Sequence, residues 1–351
     1  MLQPSGLAAL RALGLIETIM TAGARIERLA GVDLAGRKLM QMAYATWRPG
    51  GFGLGVHRAA LFEMLFAAAQ TAGAEVRTDA QIVDFDGLAH PTLRDAKGRD
   101  HGPFDIVVVA DGSASTLRPK LRPAARAPVY PWGAVWANAR DADGRFAGAL
   151  SQRYDRASVM IGVLPIGRGP EGQDRLVSLF WSLPVAEMEE FYAGDFAAWR
   201  ARVAALWPET APLLAQFDGP EAFSRAVYRD VGVGRWDAGA FVLIGDAAHG
   251  TSPQLGQGAN LGLIDAVELG TRVTRPGDLA AFQRARRRQT GPYQLFSWAL
   301  TPLFQSGGAL GPWVRNTLFA PLSQAPGLDR IAAATLTGTF RLGRTPPDLR
   351  P

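Results

Sequence analysis

The sequence predicts an α/β (α+β) fold: a partly parallel sheet, interrupted by a mixed or antiparallel sheet and followed by a helical C-terminus. Three observations carry this. Asp105–Ala110 and Phe241–Ile244 are unbroken apolar, β-branched runs, the pattern of strands buried on both faces of a parallel sheet. Each run ends in a turn built from Asp and Gly. Between them, residues 125–230 are strand-rich, with Trp132, Trp136, Trp181 and frequent Gly and Pro turn signals.

The elements follow in chain order. Ser5 ahead of Leu7, Leu10, Leu13 and Ile16 reads as a helix with Ser5 as its cap. A second helix starts near His57, with Leu61, Met64, Leu65 and Ala68 as its apolar face. Short alternating segments between Glu75 and Leu93 read as small antiparallel strands. Leu261–Val273 is a helix, and the chain from Pro276 onward is mostly helical, with an aromatic-rich stretch from Tyr293 to Phe319. No internal repeat or low-complexity linker interrupts the chain. The expected division is 1–124 with 231–351 as one domain and 125–230 as an inserted sheet domain.

Composition narrows the function classes. A chain of 351 residues has room for about two domains. With 48% hydrophobic and 20% charged residues it is globular rather than disordered. It has no cysteine, which excludes disulfides, cysteine-ligated metals, iron–sulfur clusters and a thiol nucleophile. The net charge of +5 does not signal nucleic acid. The arginines are mostly scattered, no basic stripe interleaves with aromatics, and the only lysines are Lys38, Lys97 and Lys120. There is no signal-peptide pattern at the start and no apolar run of the ~18–20 residues that span a bilayer. A soluble, cytoplasmic protein is expected. The Tyr293–Phe319 stretch is a candidate lid, homodimer face or peripheral membrane contact.

Three strings carry chemistry. The strongest is Gly245-Asp246-Ala247-Ala248-His249, then Pro253, then Gly256-Gln257-Gly258-Ala259-Asn260. It joins a buried strand to a helix and puts glycines where a ligand must approach the backbone. The free N–H groups of the new helix face that ligand, and a carboxylate at the strand end can accept hydrogen bonds from a polyol. A bare Gly-Asp pair would mean only a tight turn. The second string, Val107 to Arg118, leads a strand into Asp111-Gly112 and on to Arg118, offering backbone donors and a cation to phosphate or sugar. Alone it is an ordinary Asp-Gly turn. The third is Arg58 at a helix start, which alone reads as a surface residue. His57, His90 and His101 lack metal-ligand spacing and read as surface residues; no metal is expected.

Together, in this order, the strings resemble the flavoprotein monooxygenase family typified by para-hydroxybenzoate hydroxylase and the ubiquinone-biosynthesis hydroxylases. The resemblance also takes in Leu2-Gln3-Pro4-Ser5-Gly6-Leu7, Leu13-Gly14-Leu15 and Thr301-Pro302-Leu303-Phe304-Gln305-Ser306. It implies a Rossmann-like FAD-binding domain and hydroxylation of an aromatic or related apolar substrate with NAD(P)H and O2, through a flavin C4a-hydroperoxide. By it, Gly245 and Asp246 bind the ribityl chain and Pro253 lies beside the isoalloxazine ring. Gly256 is a further cofactor-binding residue, and Gly258, Ala259 and Asn260 offer N–H groups to the pyrimidine edge. Asp111, Gly112 and Arg118 sit near the pyrophosphate, and Arg58 holds the phosphate and sugar portion. His249 takes a structural or flavin-side place rather than that of a general base. Trp132, Trp136, Phe180 and Trp181 are expected to line the substrate pocket. Such families open with a Gly-x-Gly-x-x-Gly βαβ unit. The expectation is that about forty residues carrying it are missing ahead of Leu2, through a misplaced start rather than a genuine truncation. The alternatives are a remnant that binds a ligand or partner without FAD, and a flavin-dependent reductase. A halogenase is disfavoured because no lysine lies in the second half of the chain.

Overall fold

The computed structural model describes residues 1–319 and 327–340; 320–326 and 341–351, parts of the expected helical C-terminus, lie outside the described residues. The described strands are β1 (Ala24–Asp33), β2 (Lys38–Ala43), β3 (Gly53–Gly55), β4 (Ile82–Asp86), β5 (Thr92–Asp95), β6 (Asp100–His101), β7 (Val107–Val109), β8 (Val129–Arg140), β9 (Gly148–Asp155), β10 (Val159–Gly167), β11 (Leu176–Pro184), β12 (Ser224–Arg229), β13 (Asp237–Ala238) and β14 (Phe241–Leu243).

The two apolar runs do pair in parallel. Phe241 of β14 lies opposite Val107 of β7, and Leu243 opposite Val109, while β13 joins the other side of β14 antiparallel. Phe241, Val242 and Leu243 are fully buried, as a strand covered on both faces requires. β7 departs from expectation. Val107 and Val109 are buried, but Val108 is 42% exposed. In the order β13-β14-β7 it is an end strand, and its side chains alternate between a packed face and an open one.

The large sheet runs β12-β8-β11-β10-β9-β1-β2, with β3 also on β1. Its first five strands come from the strand-rich middle. The others come from residues 24–55, outside the 125–230 segment, and β1 runs parallel to β9 with Ala30 opposite Ser151 and Val32 opposite Arg153. The boundary at 125 therefore marks a change in composition and not the edge of the sheet. Strand pairing rests on side-chain contacts between neighbours, and nothing local to β1 names a partner so far along the chain.

Alternation assigns the two faces of this sheet. Val135, Ala137, Leu179, Trp181 and Leu183 turn to one side, where Phe196, Val203, Trp207 and Phe223 cover them. This is the main apolar core, worth ~1.5–3 kcal/mol for each large side chain fully buried. On the other side Phe180 packs with Tyr154, Met160 and Phe304. Its ring crosses Gly162, where a Cβ would come within 1.8 Å of it. Trp136 lies opposite Phe180 in register and shares its side. Trp181 does not. It stands edge-on to Trp199 at 5.9 Å in the opposite core, so of the expected pocket aromatics it is excluded, because successive strand residues face opposite ways.

Two further corrections fall at the cap of the first helix and at His101 of β6. That helix spans Pro4–Ala12 with Gln3 at its cap. Ser5 sits inside the first turn because Pro4, with its preset φ and no N–H to satisfy, takes the first position. The helix Arg58–Thr71 is capped by His57, whose Nδ1 accepts the Ala59 N–H at 3.3 Å. His101 is not a surface residue; its ring is largely covered and lies 3.1 Å from the buried Asp95. The expected small strands are β4 and β5, paired antiparallel, and the helix after β14 spans Gly258–Arg272. A 26-residue helix, Leu279–Phe304, carries the start of the aromatic-rich stretch. Tyr293 and Phe304 are buried there, whereas Leu295, Trp298, Leu310 and Trp313 are exposed. Among the described residues no helix is long and apolar enough to cross a membrane, and no cluster of His, Asp and Glu could hold a metal ion.

Candidate functional site

β7 and β14 end side by side, with the Ile244 N–H donating to Val109 O at 3.1 Å, so the Asp111–Gly112 and Gly245–Asp246 turns both leave from the carboxyl ends of a parallel pair. In open α/β sheets that is where ligands bind. Gly245 has φ +56° and ψ −142°, a conformation essentially reserved for glycine. A Cβ there would stand 3.9 Å from the Gly262 Cα, and one on Gly262 3.7 Å from the Gly245 Cα. The turn thus crosses the Gly258–Arg272 helix backbone to backbone. Asp246–His249 then forms one helical turn, Pro253–Leu255 a 3-10 turn, and Gly256, at φ +61°, swings the chain into the helix at Gly258.

The result is an exposed strip on a fixed base. Asp246, Pro253, Gly256, Gly258 and Ala259 are all exposed. Among the described residues the Asp246 carboxylate has no partner, and a Cβ on Gly258 would lie 3.5 Å from its Oδ1. First-turn N–H groups have no acceptor within their own helix, and the positive end of its dipole sits there too. Beneath the strip, Asn260 is fully buried. Its Oδ1 accepts the Gln3 N–H at 2.8 Å, and its Nδ2 donates to Gly256 O at 3.0 Å and Met1 O at 3.4 Å. Gln254 donates to Gln305 Oε1 at 2.6 Å, and Gln305 in turn to Ser182 Oγ at 2.8 Å. This chain of amides ties the Pro253 turn to β11.

The other predicted residues gather around this strip. The Asp111 carboxylate accepts the Thr116 N–H at 3.1 Å, and Gly112, at φ +85°, has open space where a Cβ would be. Arg118 is buried. Its guanidinium donates to Ser113 O at 2.7 Å and Ala247 O at 3.1 Å, stitching one turn to the other. Burial lowers its pKa, with the Asp111 charge opposing. Arg58 is exposed at its helix start. It acts electrostatically on the Met1 amino group and on Tyr228, whose pKa burial raises to about 12 with Arg58 opposing. Arg58 thus borders the Met1–Gln3 segment that Asn260 holds.

Under the first turn lies a buried ionic network that sequence reasoning missed. Asp265 and Arg286 are fully buried and His249 nearly so. Arg286 Nε donates to Asp265 Oδ1 at 2.6 Å, His249 Nε2 lies 2.6 Å from Oδ2, and the Gly245 N–H donates to the same Oδ2 at 2.8 Å. Burial works against the Asp265 charge, but His249 and Arg286 outweigh it and hold its pKa down to about 2. Helical spacing was the usable signal. Asp265 falls on the stripe of Leu261, Ile264 and Glu268, and Arg286 on that of Phe282, Gln283, Gln289 and Tyr293, all buried.

A parallel strand pair that delivers two glycine turns and a helix start to one exposed edge defines a cofactor-binding α/β protein. Open glycines, a carboxylate with no partner among the described residues, and helix N–H groups fit the polyol chain and ring edge of a flavin. The FAD binding domain family matches residues 1–277, and the chain belongs to that family. Aurachin C monooxygenase/isomerase of Stigmatella aurantiaca is 26% identical over 348 residues, covering 95% of this chain and 85% of that protein. The 2-heptyl-3-hydroxy-4(1H)-quinolone synthase of Pseudomonas aeruginosa is 29% identical over 315 residues, 83% of this chain and 76% of that one. In fold, the chain matches Klebsiella pneumoniae HpxO, crystallised with FAD and uric acid. The TM-score is 0.77 at 20% identity, over 96% of this chain and 86% of that one. By family the chain is an oxidoreductase of the flavoprotein monooxygenase class, with FAD as its cofactor.

Proposed function

We propose that this protein hydroxylates a fused-ring aromatic substrate, using NAD(P)H and O2. The observation that carries the reading is the exposed strip from Asp246 to Ala259 on its buried base. Bound FAD supplies the electron transfer and oxygen activation. The chain's own residues bind and orient it. Asp246, the residue after Gly245, accepts hydrogen bonds from the ribityl hydroxyls, and Pro253 with Gly256 borders the ring. The N–H groups of Gly258, Ala259 and Asn260 donate to the pyrimidine edge, where the helix dipole favours negative charge. Asp111 and Gly112 lie toward the pyrophosphate, with Arg118 holding that turn against the first, and Arg58 meets the phosphate and sugar portion. Trp136 and Phe180, on the sheet face turned toward the long helix, supply an apolar wall for an aromatic ring. Two relatives named for an aurachin and a quinolone, and a fold neighbour crystallised with uric acid, support a fused-ring substrate.

The test is to titrate the protein with FAD, then follow NAD(P)H oxidation with alkyl-quinolones and related bicyclic aromatics under ¹⁸O2. Substrate-dependent oxidation with one labelled oxygen in the product is the expected result. Nicotinamide oxidation without label in the product would replace hydroxylase with reductase. Failure to bind FAD would leave a ligand-binding protein in place of an enzyme.

A further inference from the structure

We infer that Asp265 is a positioning residue for the flavin turn: its carboxylate fixes the Gly245 peptide and so sets where Asp246 stands. The inference rests on the reading of Asp246 as the ribityl-binding group. One oxygen, Oδ2, receives both the Gly245 N–H at 2.8 Å and the imidazole of His249 at 2.6 Å. These donors flank Asp246 on either side in the chain, so a single buried atom holds the turn at both ends. The other oxygen receives Arg286 Nε at 2.6 Å. Arg286 is steadied by Gln289 Oε1 at 2.6 Å, and Gln289 Nε2 by Gly338 O at 3.0 Å.

The chemistry of the site demands a carboxylate. All three groups aimed at residue 265 are donors, and an amide would have to turn its NH2 toward one of them. His249 makes the point sharper. Among the described residues its Nδ1 is buried without a hydrogen-bond partner, a cost that native interiors rarely retain, and the bond that offsets it is the one from Nε2 to Asp265. Glu268, on the same buried stripe, supplies the contrast. It is as buried as Asp265 but pairs with Arg272 of its own helix at 2.9 Å, away from the turn.

The experiment compares Asp265→Asn, the neutral pair Asp265→Asn/Arg286→Gln, and Glu268→Gln with the unmodified protein. In flavin-free protein, amide hydrogen exchange is read over residues 245–250. FAD affinity and the visible absorbance band of the bound flavin are then measured against the Tm of each variant. Asp265→Asn should speed exchange in the turn about tenfold or more, weaken FAD on the order of 10- to 100-fold and shift the flavin band. Glu268→Gln should lower Tm while moving none of the three. If Asp265→Asn does not fold, the neutral pair must show the same changes in smaller measure: its glutamine carbonyl accepts from the amide introduced by the first substitution, and that amide's oxygen holds Gly245 and His249 without the charge that strengthens such bonds. Unchanged exchange and an unchanged band, or equal changes in Glu268→Gln, would overturn the inference. Should the unmodified protein bind no FAD, the functional reading fails, and the exchange comparison alone still decides what Asp265 holds.

Discussion

The Asp111–Gly112 and Gly245–Asp246 turns use the same two residue types and are anchored differently. The turn after β14 leaves a strand that is fully buried, crosses a helix at a glycine pair, and hangs from a buried carboxylate with its own guanidinium. The turn after β7 leaves an end strand with an open valine, and its Asp111 is occupied by a local bond to Thr116. Arg118 is what joins the second turn to the first. The difference separates a rigid reference point from a surface fastened to it, and orientation in this molecule is set by buried polar contacts where apolar packing alone would leave it loose.

The sharpest way to break that contrast is to unpair the reference carboxylate. Arg286→Met should cost about 3–5 kcal/mol in urea unfolding because the buried Asp265 charge loses its guanidinium partner. Arg288→Met, at an exposed position, should fall within about 0.5 kcal/mol. Similar losses in both would mean that the network carries no special weight.

Acid unfolding probes the same carboxylate. Its pKa is about 2 in the fold against an ordinary 3.8, so it is depressed. Its contribution is complete above 3.8 and is lost as pH falls toward about 2. Stability measured across that window should fall less steeply in Asp265→Asn than in the unmodified protein.

Next come the glycines. Gly245→Ala must hold a conformation costing ~1–3 kcal/mol and displaces Asp246, so both Tm and FAD affinity should drop. Gly112→Ala meets the left-handed penalty of roughly 1–2 kcal/mol in open space, and its effect on FAD should be the smaller. Equal loss of FAD affinity would put the two turns on a par. The mildest test is Asp246→Ala. Stability should stay within about 0.5 kcal/mol, while FAD weakens about tenfold. Asp111→Ala should instead show in stability, since its carboxylate already serves Thr116.

The strand–turn–helix string at Gly245–Asn260 is legible in the sequence because strand, glycines and helix are contiguous there. That Val108 is open is not, since a valine run reads the same at the edge of a sheet as in its middle. Ser5 yields the cap to Gln3 because Pro4 takes the first helical position, a local signal that outweighs the hydroxyl. Trp181 and Phe180 are neighbours in sequence, yet alternation sends them to opposite faces. Asp265 and Arg286 are visible in principle, as charges standing on apolar helical stripes. Which charge meets which cannot be read, because the pairing is made between two helices.

The parallel pairing of β1 with β9 bears on how the chain is assembled during synthesis. Residues 24–33 leave the ribosome well before Gly148–Asp155 exist to receive them, a wait of roughly ten seconds at ordinary rates of elongation. Through that interval β1 has only β2 and β3 beside it, and one of its edges is an unsatisfied row of backbone groups. Long-range pairing of this kind slows folding, so the nascent protein is most exposed to aggregation just before its ninth strand appears.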